Sequence, residues 1–480
     1  MQNVIEDITK LFQQYSTEPV SSIEKLPQAG SERHYFRIRT SDKSFIVTSG
    51  ANIKENDVFI YFSEHFSEKK LATAKVFLIN EAKDIYIQED FGDVSLLDEL
   101  EKNGFTPEVY ALYKKSLQQL AALQVKGHEG LDYSKCLTNE SFGKQAIMAD
   151  LLYFKYYFLD ALRKPYDKQK LIDDFEALSN YLSHTEYKYF MFRDFQSRNI
   201  MVKNGESVHF IDYQGGMQGA PQYDVASLLW QARANLPDEW KQDLLEDYIN
   251  EFEKIIGQQV DRDVFKSQYN GYVLIRLLQV LGAYGFRGLF ERKAHFLTSI
   301  PLALQNLKWF IQHQSIGISV PEFKKVLELC ISDEVIAAYT PIKATDKTAL
   351  VVTITSFSYK KGIPKDESEN GGGFVFDMRG ILNPGRFADY KKLSGLDKPV
   401  KDFLEQQTEM PVFLNAVYSM VDISVSEYIK RDFASLHVNF GCTGGQHRSV
   451  YAAEALARHL RNKFNVKIQF AHTNKENWLR

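Results

Sequence analysis

Apolar residues recur at helical spacing over 5–15, which predicts an N-terminal helix. The pattern then changes to short runs of β-branched and aromatic residues at 23–26, 35–38 and 45–48, parted by Gly30-Ser31 and by Ser41-Asp42-Lys43. A further strand pair is expected at 74–79 and 85–88. From 96 to 182 the helical period returns, with a Tyr- and Phe-rich stretch at 142–162. Two short strands are expected to flank the segment 190–211, and helices resume from 223 to about 338. An antiparallel sheet followed by a mainly helical region predicts an α+β domain with a cleft between two lobes. The polar stretch Thr340-Pro-Ile-Lys-Ala-Thr-Asp-Lys reads as a linker. Beyond it a strand at 349–355, a βα alternation and a closing helix predict a smaller α/β domain. The expected division is 1–342 and 343–480.

Composition agrees with two soluble domains: in 480 residues, 44% are apolar and 25% charged. The net charge of −4 conceals an asymmetry. From Thr345 onward 19 Lys and Arg stand against 15 Asp and Glu, a net of +4, which leaves −8 for the remainder. Cys136, Cys330 and Cys442 are far apart, with no C-x-x-C pair, so neither a disulfide framework nor a zinc cluster is expected. The N-terminus lacks a signal-peptide pattern, and the apolar stretch 272–286 is broken by Arg276 and Gln279. These features predict a reduced, cytoplasmic protein with no membrane partner.

The densest chemistry lies in F-R-D-F-Q-S-R-N-I-M-V at 192–202, then H-F-I-D-Y-Q-G-G at 209–216 and P-Q-Y-D-V-A-S-L-L at 221–229. Phosphoryl transfer needs one carboxylate beside the attacking hydroxyl and oxygen ligands for magnesium. Asp194 and Asn199 have the D-x-x-x-x-N spacing that sets a base and a metal ligand on one loop, and Asp212 follows an apolar strand. Asp194 is the expected catalytic base, and Asn199 and Asp212 are the expected magnesium and nucleotide ligands. Asp224, at a helix start, is expected to brace the loop. Asp150 and Asp194 are the candidates for contacting sugar hydroxyls.

These motifs resemble those of the aminoglycoside phosphotransferase-like kinases, most of all the branch of anomeric N-acetylmuramate/N-acetylglucosamine kinases. The resemblance covers most of 20–312, with Phe192 and Gln196 where that branch has histidines. It implies a two-lobed protein-kinase-like fold, ATP and Mg2+ as cofactors, an amino sugar as acceptor, and a place in cell-wall recycling. It also implies that Gly30, Ser31 and Arg33 cover the phosphates and that Gln88 and Glu89 open the adenine hinge. Strand three, Phe45-Ile-Val-Thr48, has no lysine to pair the phosphates, so Arg33 or Arg37 is expected to supply that charge.

Near the C-terminus an apolar strand at 436–440 runs into Gly441-Cys-Thr-Gly-Gly-Gln-His-Arg-Ser and an amphipathic helix. This glycine-rich strand-turn-helix converges amides, a helix N-terminus and Arg448 on an anion. Cys442 and Arg448 also have the C-x5-R spacing of cysteine phosphatases, with Asp377 as a conceivable acid. Residues 349–472 resemble the RapZ C-terminal domain, through this loop and through Thr355-Ser-Phe-Ser-Tyr-Lys-Lys-Gly and Val375-Phe-Asp-Met-Arg-Gly-Ile-Leu-Asn-Pro. That resemblance implies glucosamine 6-phosphate and small RNA as partners. It implies a sugar-phosphate pocket of Asp377, Arg379, Asn383, Gly444, Gly445, His447, Arg448 and Ser449. Two alternatives stand beside an amino-sugar kinase. One is an RNA-binding regulator with a vestigial kinase lobe; the other is a kinase for an aminoglycoside or choline-like alcohol.

Overall fold

The computed structural model describes residues 2–26, 33–291, 294–365 and 373–479. By its internal packing the chain forms two units, Met1–Gly282 with Leu302–Ile331, and Ala283–Pro301 with Ser332–Arg480. The linker expected near 342 thus lies inside the second unit.

In the first unit, strands β1 (Ser22–Lys25), β2 (His34–Arg39), β3 (Ser44–Ser49), β4 (Val76–Ile79) and β5 (Ile85–Glu89) form one antiparallel sheet in the order β1-β2-β3-β5-β4. One face of this sheet carries Phe36, Ile38, Phe45, Val47, Ile85 and Ile87. The N-terminal helix Gln2–Tyr15 packs Ile8, Leu11 and Phe12 against it. Between β3 and β4 the structure holds a helix, Ile53–Glu68, that the strand-like reading of this region lacks. Asn52 caps it by accepting from Glu55 N at 3.3 Å, and Val58, Phe59, Phe62 and Phe66 are buried. Phe59 stacks on Tyr213 with centroids 4.9 Å apart, which fixes the helix beside the loops that follow.

The remainder of this unit is helical, chiefly Pro107–His128, Lys144–Phe154, Lys168–Ser183, Asp238–Ile256 and Arg262–Gly285. The last of these has the length and hydropathy of a membrane span, but Val273, Ile275, Leu278 and Leu281 are buried inside the protein. Two small antiparallel ribbons replace the two strands expected around 190–211. Strand β6 (Tyr189–Met191) pairs with β9 (Met217–Gly219), and β7 (Ile200–Lys203) pairs with β8 (Ser207–Phe210). Their tight ends carry the polar motifs.

The second unit is built on β10 (Val351–Ser358), β11 (Gly373–Asp377), β12 (Ser435–Cys442) and β13 (Lys467–His472), all parallel in the order β11-β12-β10-β13. Central strands covered on both faces need near-continuous apolar runs. Val352, Ile354, Val438 and Phe440 accordingly share a core with Val417, Val421 and Val425 of helix Met410–Lys430 and Ala452 and Leu456 of helix Arg448–Phe464.

Candidate functional site

Asp224 organises the loop that follows β6. It is wholly buried in helix Gln222–Leu229, and its carboxylate accepts from Phe192 N (2.7 Å), Arg193 N (2.9 Å) and Gln124 Nε2 (3.0 Å). Burial pushes its pKa up to about 6 against the pull of these donors. The bracing role expected from sequence is the one the geometry shows. Arg193, at φ 77°, then turns its guanidinium back to Asp150. Both oxygens of Asp150 accept from it at 3.0 Å, and Arg193 Nη1 also donates to Tyr223 Oη at 2.7 Å. Asp150, expected to meet sugar hydroxyls, is therefore occupied by Arg193 and nine-tenths buried.

The turn leaves the Asp194 carboxylate about one-third exposed. Asn199 Nδ2 donates to Asp194 O at 2.9 Å and reaches Asp194 Oδ2 at 3.3 Å, which leaves Asn199 Oδ1 as its acceptor end. Ile211 N donates to Asn199 O at 3.0 Å, tying the end of β8 to the same loop and setting Asp212 beside it at φ 71°. Asp194, Asn199 and Asp212 thus belong to one hydrogen-bonded unit, although Asp212 follows by thirteen positions.

Asp212 Oδ1 accepts from Gln214 Nε2 at 2.9 Å and from Arg33 Nη2 at 3.0 Å. Arg33 Nη2 also lies 3.3 Å from Glu55 Oε1 on helix Ile53–Glu68. Arg33 is 4% exposed, and its Nε finds no partner among the described residues. Arg37 is committed elsewhere. It holds Asp90 through Nε (2.7 Å) and Nη2 (3.0 Å) and Asp93 through Nη1 (2.6 Å), clamping the hinge. These bonds, with Gly92 N, outweigh burial and hold the Asp90 carboxyl below its usual range. Of the two arginines, Arg33 is the one facing the Asp212 carboxylate. At the end of β5, Gln88 is buried with Nε2 on Thr48 Oγ1 at 3.2 Å and pairs in register with Ile46 and Val76, while Glu89 N donates to Lys75 O at 3.0 Å. Glu89 is more open, 3.9 Å from Lys203 Nζ. Gly30 and Ser31 lie outside the described residues.

Sequence reasoning missed three neighbours of this centre. Glu55 sits on the unexpected helix. Arg276, 8% exposed, places Nη2 3.5 Å from Asp194 Oδ1, and Arg198 Nη2 lies 3.3 Å from Asp194 Oδ2. A lone arginine in an otherwise apolar helical stretch was the available signal for Arg276. The donor set fits magnesium on nucleotide phosphates. That cation takes hard oxygens, usually one or two from the protein, and Asn199 Oδ1 and the Asp212 carboxylate are of that kind.

In the second unit β12 ends at Cys442, and the loop runs through Gly445, at φ 61°, into the helix starting at Arg448. A Cβ on Gly445 would lie 3.0 Å from Ser358 N, so only glycine fits there. The amides of Gly444, Gln446 and His447 donate to no described group. Arg448, 4% exposed, gives Nη1 to Arg379 O (3.0 Å) and Ile381 O (2.7 Å), while Nε has no described partner. These bonds bring the 377–383 segment to the loop. There Asp377 and Arg379 pair with each other at 2.6 Å, and Asn383 Oδ1 accepts from Gly385 N at 3.2 Å. His447 Nε2 meets Tyr390 O at 2.9 Å, and burial lowers its pKa. Ser449 Oγ lies 3.1 Å from Cys442 Sγ.

Residues 24–256 match the profile of the phosphotransferase enzyme family, and residues 350–476 match that of the RapZ C-terminal domain. Among curated proteins, a nucleotide-binding protein of Endomicrobium trichonymphae is 38% identical over 152 residues, 32% of this chain and 48% of that protein. One from Tolumonas auensis is 40% identical over 110 residues, 23% of this chain and 36% of that protein. The chain thus spans about half or less of the length of these relatives. Among solved structures, a putative aminoglycoside phosphotransferase of Ralstonia eutropha aligns with 14% identity and a TM-score of 0.44, covering 64% of this chain and 98% of that one. Choline kinase LicA of Streptococcus pneumoniae aligns with 14% identity and a TM-score of 0.40, covering 64% and 99%.

Proposed function

We propose that this chain, a small-molecule kinase of the phosphotransferase enzyme family joined to a RapZ C-terminal domain, phosphorylates a hydroxyl of an amino sugar at the expense of ATP. The observation that carries the reading is the hydrogen-bonded unit of Asp194, Asn199 and Asp212, linked by Asn199 Nδ2 and by the Ile211 amide. Asp194 orients the acceptor hydroxyl and takes its proton late in the transfer. Asn199 Oδ1 and Asp212 hold magnesium, which when bound neutralises charge on the phosphates. Arg33 takes the place of the missing strand-three lysine, anchored by Glu55. The segment at Gln88 and Glu89, next to the Arg37–Asp90 clamp, meets the adenine edge.

The acceptor is read as N-acetylmuramate or N-acetylglucosamine, phosphorylated at the anomeric oxygen, in a cytoplasmic role in cell-wall sugar recycling. The second domain is read as a sensor of an amino-sugar phosphate. Arg448 supports this, since its Nη1 is anchored on two carbonyls while its Nε–Nη2 edge forms a fork for phosphate. The net +4 of the C-terminal third favours small RNA as a further partner there. ATP turnover with N-acetylmuramate, N-acetylglucosamine, glucosamine, choline and kanamycin, with product position read by phosphorus NMR, tests the assignment. Turnover with an N-acetyl amino sugar and an anomeric phosphate signal supports it. Turnover confined to choline or kanamycin overturns it.

A further inference from the structure

We propose that the loop Cys442-Thr-Gly-Gly-Gln-His-Arg-Ser hydrolyses phosphate monoesters, with Cys442 Sγ as the nucleophile. The inference rests on the reading of this loop as a phosphate site and adds an activity to it.

Three arrangements carry it. First, Sγ sits at the end of the central strand β12, accepts from Gly445 N at 3.2 Å and lies 3.1 Å from Ser449 Oγ. The Gly445 amide is placed to hold the charge left on sulfur when the S–P bond breaks. Second, Arg448 is almost wholly buried, yet its Nε has no described partner while Nη1 is fixed by Arg379 O and Ile381 O. An orphaned buried guanidinium edge is costly unless an anion completes it. Third, a Cβ at Gly444 would meet nothing within 4 Å, so the crown of the loop is open where a phosphate would enter. The amides of Gly444, Gln446 and His447 are without described acceptors around it.

The chemistry balances with water alone. The Cys442 thiol gives its proton to water, and the thiolate attacks phosphorus. An S–P bond forms, the ester P–O bond breaks, and the alkoxide takes a proton from solvent. A water then attacks phosphorus, the S–P bond breaks, inorganic phosphate departs, and sulfur returns as thiolate held by Ser449 and Gly445. Asp377, the acidic group beside the loop, hydrogen-bonds Arg379 and stays ionised, so it brings no proton to the leaving oxygen. The loop therefore suits esters whose alcohol leaves without acid assistance, such as aryl phosphates.

The full chain assayed with para-nitrophenyl phosphate should release phosphate, and Cys442→Ser should lower that rate at least about a hundredfold. Cys442→Ser should leave kinase turnover unchanged, and Asp194→Asn should leave hydrolysis unchanged. Ser449→Ala should retain attack but slow release, so that an acid quench shows Cys442 carrying one phosphoryl group by mass spectrometry. Calorimetry with glucosamine 6-phosphate separates the two readings of the loop. Binding that requires Arg448, with phosphate release equal in wild type and Cys442→Ser, overturns the hydrolase and leaves the sensor standing. Absence of both binding and hydrolysis overturns both.

Discussion

Arg33 Nη2 lies 3.0 Å from Asp212 Oδ1 while the same nitrogen is 3.3 Å from Glu55 Oε1. A cation on the edge of β2 thereby ties the helix Ile53–Glu68 to the loop after β8. Thr48 of β3 pairs in register with Tyr35 and Tyr86 and offers no charge of its own. The buried positive charge beside Asp212 is therefore Arg33, just before β2, with its second acidic partner on the helix.

Arg33→Ala should therefore raise KM for ATP by about tenfold or more while leaving the acceptor KM within about twofold. Arg33→Lys should recover part of the loss, since a lysine keeps the charge but lacks the further planar donors beside the nitrogen that meets Asp212 and Glu55. Steady-state kinetics with ATP varied at saturating acceptor reads this directly. An unchanged ATP KM in Arg33→Ala would remove Arg33 from the phosphate site.

Asp194→Asn should lower kcat by a factor on the order of 10² to 10⁴, the usual range for a lost general base. ATP binding by calorimetry should be nearly unchanged, because Asn199 and Asp212 remain. Asp212→Asn should weaken binding of magnesium-ATP as well as turnover. If Asp194→Asn keeps a tenth of wild-type kcat, Asp194 is not the base.

Asp150→Ala should act on stability before specificity. Its carboxylate is spent on Arg193, whose pKa rises under the influence of Tyr223 and Asp150 despite burial. Removing one partner of such a pair leaves a buried charge uncompensated and costs about 3 kcal/mol. Denaturant unfolding should show that loss. A large rise in acceptor KM with unchanged stability would instead return Asp150 to the sugar pocket.

Asp224 gives a pH dependence with a definite sign. Burial raises its folded-state pKa from 3.8 to about 6. Between these values the folded protein holds a proton that the unfolded chain has released. Its contribution to stability is complete below 3.8 and is lost as pH rises through about 6, a change of about 3 kcal/mol. Asp224→Asn lacks this titration. The difference in unfolding free energy, wild type minus Asp224→Asn, should therefore fall between about pH 4 and about pH 7. A flat difference across that window would contradict the burial argument.

Arg448→Ala should cost at least about 2 kcal/mol of amino-sugar phosphate binding, the scale of a charge-assisted contact in a buried site. The unphosphorylated sugar should bind far more weakly than its phosphate. Equal calorimetric affinity for the two ligands, insensitive to Arg448→Ala, would rule out the pocket.

Much of this was legible in the chain. Short runs of β-branched and aromatic residues parted by turn residues located β2, β3 and β5 to within a residue or two. The spacing of Asp194, Asn199 and Asp212 marked the loops that meet. The helix Ile53–Glu68 escaped because Val58, Phe59, Ile60 and Phe62 are all buried and form a nearly unbroken apolar run. Such a run reads as strand as readily as helix. The ribbons β6 to β9 are only three or four residues long, below the length at which periodicity speaks. Charge partners were the hardest part. Arg33 with Asp212, Arg193 with Asp150 and Arg276 with Asp194 are far apart in sequence, and nothing local to either member names the other.

The position of β10 at the centre of the parallel sheet has a consequence for synthesis. Val351 pairs with Ser435 on one side and with Lys467 on the other, so this apolar strand leaves the ribosome long before either neighbour exists. Val351-Val-Thr-Ile-Thr-Ser-Phe is the kind of segment that seeks any unpaired edge, including that of another nascent chain. The antiparallel sheet of the first unit is complete by Glu89 and can close early. The second unit must wait for nearly its whole length and then form contacts of large sequence separation, which is slow. Expression yield and the demand for chaperones should accordingly be governed by residues 351–472 rather than by the kinase domain that precedes them.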